Sequence, residues 1–259
     1  MGPSPLLEMF KRGDAAADVR LLAAQGGLAV GAHEQLGILV HLLGDEDPEV
    51  RSAAEQTVTR IPQVPLSAFL ARSDVATSLR EHFAGRGIVP AQVAAEDDTQ
   101  PLVGLEHDHE DGAAPADEDE EEDRESVSQR VSKMTTPQKL KAATKGTKEM
   151  RAILVRDPNK LISAAVMSSP KLTPQEVEVI SRMASVSEDV LRMIGSNRSW
   201  MKNYKIASGL TKNPKTPLAL SLHLLHRIND KDLTTLAVDR NVPEQLRVAA
   251  KKRILASRT

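Results

Sequence analysis

Helix-start signals recur along the second half of this chain at a nearly constant interval, and that recurrence constrains its fold more than any other feature. A capping or extended residue precedes a first helical turn at Asp157-Pro158, Ser187-Glu188, Thr216-Pro217 and Val242-Pro243. The positions after the cap stand 30, 29 and 26 residues apart. A period in this range marks stacked helix pairs, in which no unit hides its apolar face without the next. The first half repeats the theme, since Asp47-Pro48 and Asp74-Val75 are 27 residues apart. The expected fold class is therefore all-α, with two short helical-repeat blocks.

Within each unit, apolar residues fall at helical spacings of three, four and seven. Val50, Ala53, Ala54, Thr57, Val58 and Ile61 form one stripe, facing Leu36, Leu39, Val40 and Leu43 across a polar GDED turn. The segment LALSLHLLHRI after Pro217 is apolar nearly all round, which predicts an inner helix covered on both sides. Asn197, Asn213, Asn229 and Asn241 fall where helices should end, and are read as left-handed caps.

Charge divides the chain into three. Residues 1–95 carry net charge minus 3, residues 96–125 minus 14 and residues 126–259 plus 15. The middle stretch is too poor in apolar residues to offset the entropy of ordering it. It is expected to be a disordered acidic linker between an N-terminal block, 1–95, and a basic C-terminal block, 126–259. An intramolecular contact of that linker with the basic block, in competition with outside anions, is a further expectation.

At GDEDPEVRSAAEQTV the chain resembles the second helix of a HEAT-type repeat, through Asp47, Pro48, Val50, Arg51 and Ala54. The resemblance implies that Val50 and Ala54 pack the core, while Asp47 and Arg51 pair between neighbouring repeats. The units near DVATSLREHF and NVPEQLRVAA look like variant leucine-rich repeats, also stacked helical pairs. KEMRAILVRDPNKL, NRSWMKNY and NPKTPLAL are similar to segments of a bacterial protein group with which no activity is associated. What these likenesses imply is an α-solenoid acting as a protein-binding scaffold.

Local signatures of chemistry are absent. ATKGTKEMR has one glycine and reads as a helix-to-helix turn, not a phosphate loop. No nucleophile elbow, zincin helix or calcium loop occurs, so no catalysis, cofactor or metal is expected. His107 and His109 read as part of a solvated acidic stretch. His223 and His226 share a helical face without a third ligand, and read as ordinary, partly buried histidines. Cysteine is absent, the start MGPSPLLEMFKRGD lacks a basic-then-apolar leader, and no apolar run approaches the roughly 18 residues of a membrane span, which together predict a cytoplasmic protein.

SNRSWMKNYKIASGLTKN holds the only Trp and the only Tyr of the chain. Trp200 and Tyr204 are four apart and are expected on one helical face, beside Arg198, Lys202 and Lys205. Two readings stand: both rings anchor the core between repeats, or they form a binding surface with the cations. The expected function is a non-catalytic scaffold for a protein partner. The alternative is nucleic-acid binding by the basic block, with Arg198, Lys202, Lys205, Lys212 and Lys215 on phosphates. Cations lining one continuous groove would favour nucleic acid; scattered cations beside an exposed apolar patch would favour protein.

Overall fold

The computed structural model describes residues 4–104 and 126–256, and among them all regular structure is helical, with no strand. The first block holds α1 (Pro5–Lys11), α2 (Ala17–Ala24), α3 (Ala32–Leu42), α4 (Pro48–Arg60), α5 (Gln63–Leu70) and α6 (Thr77–Ala84). The second holds α7 (Val127–Lys133), α8 (Thr136–Lys145), α9 (Lys148–Leu154), α10 (Lys160–Met167), α11 (Pro174–Arg182), α12 (Glu188–Ser196), α13 (Arg198–Met201), α14 (Tyr204–Lys212), α15 (Leu218–Leu224), α16 (Asp230–Val238) and α17 (Glu244–Ala256). A 3-10 turn, Leu225–Arg227, extends α15.

In the second block helices pack on their chain neighbours and also on helices two or three further along. α8, α10 and α12 pack in succession, as do α15 and α17, with Leu220 of α15 seated against Gly195 of α12. α7, α9, α11 and α14 form a parallel succession, and α16 joins it through Asp232. The result is two rows. The caps that open the second row are Ser126, Thr147, Thr173, Asn203 and Asn229, each accepting a backbone N–H from its own first turn. Buried Val186, Thr216 and Val242 precede the first-row helices α12, α15 and α17, tucking each entry turn into the core.

Between α9 and α11 lies a buried ion pair. Arg151 donates to Glu176 Oε1 from Nε at 3.0 Å and Nη2 at 2.7 Å, and from Nη1 to the Gly146 carbonyl at 2.8 Å. Glu176 Oε2 closes the capping box with the Thr173 N–H and hydroxyl, each at 2.9 Å. Burial pushes the Glu176 carboxyl up, but the Thr173 and Arg151 donors overcome it and hold the group below the ordinary glutamate value.

The two blocks share one core. α1 packs on α10 and α2 on α8, and Leu6, Phe10, Val19 and Ala23 belong to the same buried cluster as Leu140, Leu161, Ala164 and Val166. Every residue of α10 from Leu161 to Met167 is buried, so this helix is the covered inner one. The expectation placed that role on LALSLHLLHRI, which the structure corrects: Leu222 and His223 of α15 are exposed. Bulk apolarity misled, because the small residues of KLISAAVM are what let a second layer approach closely.

Three further expectations are corrected. Asn197, Asn213 and Asn229 lie in extended conformations near φ −84, −80 and −71, not left-handed ones, and Asn197 and Asn229 open the following helix as N-caps. Arg51 does not pair with Asp47 across repeats; it donates to the carbonyls of Asp45 and Glu46, while Asp47 caps its own helix at Glu49. Val50 and Ala54 are buried. Finally, residues 96–104, assigned by their acidity to the linker, run along the first block. The Gln35 amide bonds Leu102 and Val103, Arg72 donates to the Ala95 and Glu96 carbonyls, and a Cβ on Gly31 would lie 2.7 Å from the Asp98 carbonyl. These bonds, with Leu102 and Val103 against the α3–α6 core, offset the ordering entropy that local composition suggested would prevail. The remainder of the acidic stretch, including His107 and His109, lies outside the described residues.

Candidate functional site

Asn203 decides the geometry of the Trp-Tyr segment. Its side chain accepts the Lys205 N–H at 2.9 Å and starts a new helix, so Trp200 belongs to α13 and Tyr204 to α14. The expected single helical face is therefore broken. Trp200 is half-buried against the main core, whereas Tyr204 is 36% exposed. One ring anchors and the other does not.

Tyr204 is nevertheless tethered. Its hydroxyl donates to Asp232 Oδ2 at 2.5 Å and accepts the Asn229 N–H at 3.3 Å. Ser208 donates to the same carboxylate oxygen at 3.3 Å, and Lys212 Nζ donates to Oδ1 at 2.8 Å. Tyr204, Ser208 and Lys212 are spaced four apart on α14, so Asp232 of α16 collects one face of its neighbour. Partial burial pushes the Tyr204 phenol up, and its bond to Asp232 adds to that. The Lys212 ammonium, followed by the Tyr204 hydroxyl, holds Asp232 below the ordinary aspartate range. Sequence reasoning missed Asp232, although its place three residues after the cap Asn229 marked it as a first-turn acid.

The other cations separate. Lys205 Nζ lies 3.9 Å from Glu178, which also pairs with Arg182. Arg198, Lys202 and Lys215 have no acidic partner among the described residues. Arg198 and Lys202 sit at α13, between α12 of the first row and α14 of the second; Lys215 sits beyond the opposite end of α14. The seven candidates thus do not line one groove: Tyr204 and Lys212 meet at Asp232, Lys205 turns to Glu178, and Lys215 stands apart.

Asn213 is also fully used. Its amide donates to the Ser181 and Met183 carbonyls at 2.9 and 3.0 Å and accepts the Lys215 N–H at 3.0 Å, tying α14 to α11. No ligand is needed to satisfy it. His223 and His226 have ring centroids 5.3 Å apart and are both exposed, which corrects the expectation of partial burial. Among the described residues no cluster of three or more His, Asp or Glu side chains could hold a metal ion. No described helix is long and apolar enough to cross a membrane. One open cleft lies against α14, lined by Arg182, Ser208, Gly209, Lys212 and Asn213, and another lies between the starts of α12 and α15, lined by Ser187, Glu188, Lys215, Pro217 and Ala219 among others. None of the groups with a perturbed titration lines either.

Comparison with protein-family models, with curated proteins and with solved structures finds no match to this chain.

Proposed function

We propose that this chain is a non-catalytic scaffold, two HEAT-like α-solenoid blocks joined through the acidic segment, whose helical-repeat surface holds a protein partner. One observation carries the reading. Of the five candidate cations, Lys205 and Lys212 are engaged by Glu178 and Asp232 of neighbouring helices, while aliphatic side chains such as Leu222 and Val248 stand in water at 38% and 43% exposure. A phosphate backbone needs a continuous basic track; a protein partner needs apolar anchors with a polar rim. Pull-down from cell extract by the full chain, with and without nuclease, tests this. A partner polypeptide retained after nuclease treatment supports the scaffold. Loss of all retained material with the nucleic acid would sink it and favour the basic block as a nucleic-acid binder.

A further inference from the structure

The first row of the second block already binds helices on its outward side, since α1 and α2 of the first block lie against α10 and α8. Every residue of α10 from Leu161 to Met167 is buried, so its outward positions are assigned by repeat register. Counting from Asn159, the residue before α10, the second, fifth and ninth positions are Leu161, Ala164 and Ser168. Leu161 and Ala164 are buried, and the hydroxyl of Ser168 bonds Glu34 of α3. The same count from Ser187 gives Asp189, Arg192 and Ser196 on α12. There the seat is interrupted, because Asp189 pairs with Lys160 at 2.9 Å and Arg192 with Glu188 at 2.5 Å. From Pro217 and Pro243 the count gives Ala219, Leu222 and His226 on α15, and Gln245, Val248 and Lys252 on α17.

The chemistry of the covered seat therefore returns two repeats later, uncovered. Ala219, Leu222 and Val248 are exposed, and α15 packs on α17, which brings the two helices into one surface. At the row's C-terminal edge the strip is bounded by His226, Arg227, Lys251 and Lys252. Arg253 donates to the His226 carbonyl at 3.0 Å, which fixes the ends of α15 and α17 side by side. Arg227, Lys251 and Lys252 have no acidic partner among the described residues. Glu244 lies at the far end of α17.

We infer that the outward face of α15 and α17, centred on Leu222 and Val248 and rimmed by Arg227, Lys251 and Lys252, docks an acidic amphipathic helix of a partner protein. The apolar strip takes the partner's aliphatic stripe as α10 takes α1, and the basic rim takes its carboxylates. The packing of α1 on α10 sets the mode of docking by analogy, and the unpaired cations set the sign of the partner.

This assignment rests on the scaffold reading, and the experiment separates the two. The probe is a synthetic helix with a leucine stripe at i, i+3, i+7 and flanking glutamates, titrated against the full chain by fluorescence anisotropy. Its controls are the same helix with lysine in place of glutamate, and a uridine-rich single-stranded RNA. The expected result is binding of the acidic helix alone, weakened at least about tenfold by Leu222→Asp or Val248→Asp, and by a smaller factor by Lys252→Glu. Val64→Asp, on a still more exposed aliphatic of α5, should change nothing. These side chains are exposed, and far-UV circular dichroism checks that the variants stay folded. Equal binding of the lysine helix, indifference to Val248→Asp, or displacement of the peptide by RNA overturns the proposal. A photo-crosslinking residue at 222, 248, 64 and 179 then sorts any failure. Partner polypeptide caught only at 64 or 179 leaves the scaffold and rejects this face; none caught anywhere rejects both.

Discussion

Replacing Arg151 by methionine tests how firmly successive repeats are locked together. The aliphatic stem of methionine fills most of the space, so packing changes little, but three hydrogen bonds vanish and Glu176 Oε1 loses both of its donors. Oε2 keeps Thr173, which leaves a half-satisfied carboxylate at a site where both side chains are 6% exposed. Stranding one member of such a buried pair costs about 3–5 kcal/mol. For a chain of this size that is a fall of about 6–20 °C in Tm. The double variant Arg151→Met/Glu176→Gln removes both charges, and glutamine keeps the capping box, so most of the loss should return. Urea unfolding followed by fluorescence reads the result locally, because Trp200 is the only tryptophan and packs on the same core. The pH dependence has a fixed sign. A carboxyl held below its unfolded value contributes stability above pH 4.5 and loses it as pH falls through the folded value. A cost under about 1 kcal/mol for Arg151→Met, or a double variant as unstable as the single one, would refute the idea that this pair clamps α9 to α11.

Glu34 should behave in the opposite sense. Its carboxyl is buried among donors from Ser4, Ser168, Leu7 and Leu6 with no cation against it, and burial raises it above 4.5, so stability declines as pH rises through the folded value. Thermal melts from pH 4.5 to 8 should show that slope in the wild type, a flatter profile in Glu34→Gln, and a higher Tm for the variant at pH 8. Gly209→Ala places a Cβ 2.2 Å from Ser181 Oγ and 3.3 Å from Ser181 Cβ, and should cost about 1–3 kcal/mol. Gly195→Ala meets only the mobile end of Leu220 and should cost less in the same urea titration. Asn213→Ala removes the amide donor from the Ser181 carbonyl and leaves Met183 only the Val186 N–H at 3.5 Å, and should cost about 1–3 kcal/mol; near-neutrality would show that the Ser181 carbonyl finds another donor.

The helical class was legible because capping residues and apolar spacing are local properties, but two expected starts moved: Asn159, not Asp157, caps α10, and α6 begins after Ala76, not Asp74. Ser187 and Asp47 act where their chemistry says they should. What failed was whatever depended on the neighbouring repeat. An asparagine closes one helix and opens the next with equal ease, so Asn197 and Asn203 could be placed only once α13 was seen between them. The candidate cations carried no sign of their partners: Glu178 and Asp232 neutralise Lys205 and Lys212 from the adjacent helix, 27 and 20 residues away in sequence. Exposure was equally hidden. LALSLHLLHRI carries more leucine than KLISAAVM, yet the second is buried because a first-block helix lies on it, and no pattern within either segment records that.

The boundary drawn at the acidic stretch therefore separates charge, not cores. Leu6 and Phe10 of α1 are fully or nearly fully buried in a cluster that includes α10, and burying each such side chain is worth about 1.5–3 kcal/mol. A fragment of residues 126–259 made alone would expose Leu161, Ala164 and Ala165 on one flank, and a fragment of residues 1–104 would expose Leu6 and Phe10. Each should bind a hydrophobic dye or self-associate, and mixing them should abolish the dye signal and yield a stoichiometric complex by size-exclusion chromatography with light scattering. Phe10→Asp in the smaller fragment should prevent that recombination. Two monodisperse fragments that ignore each other would mean that the shared cluster contributes little, and that the blocks are independent bodies held only by the chain between them.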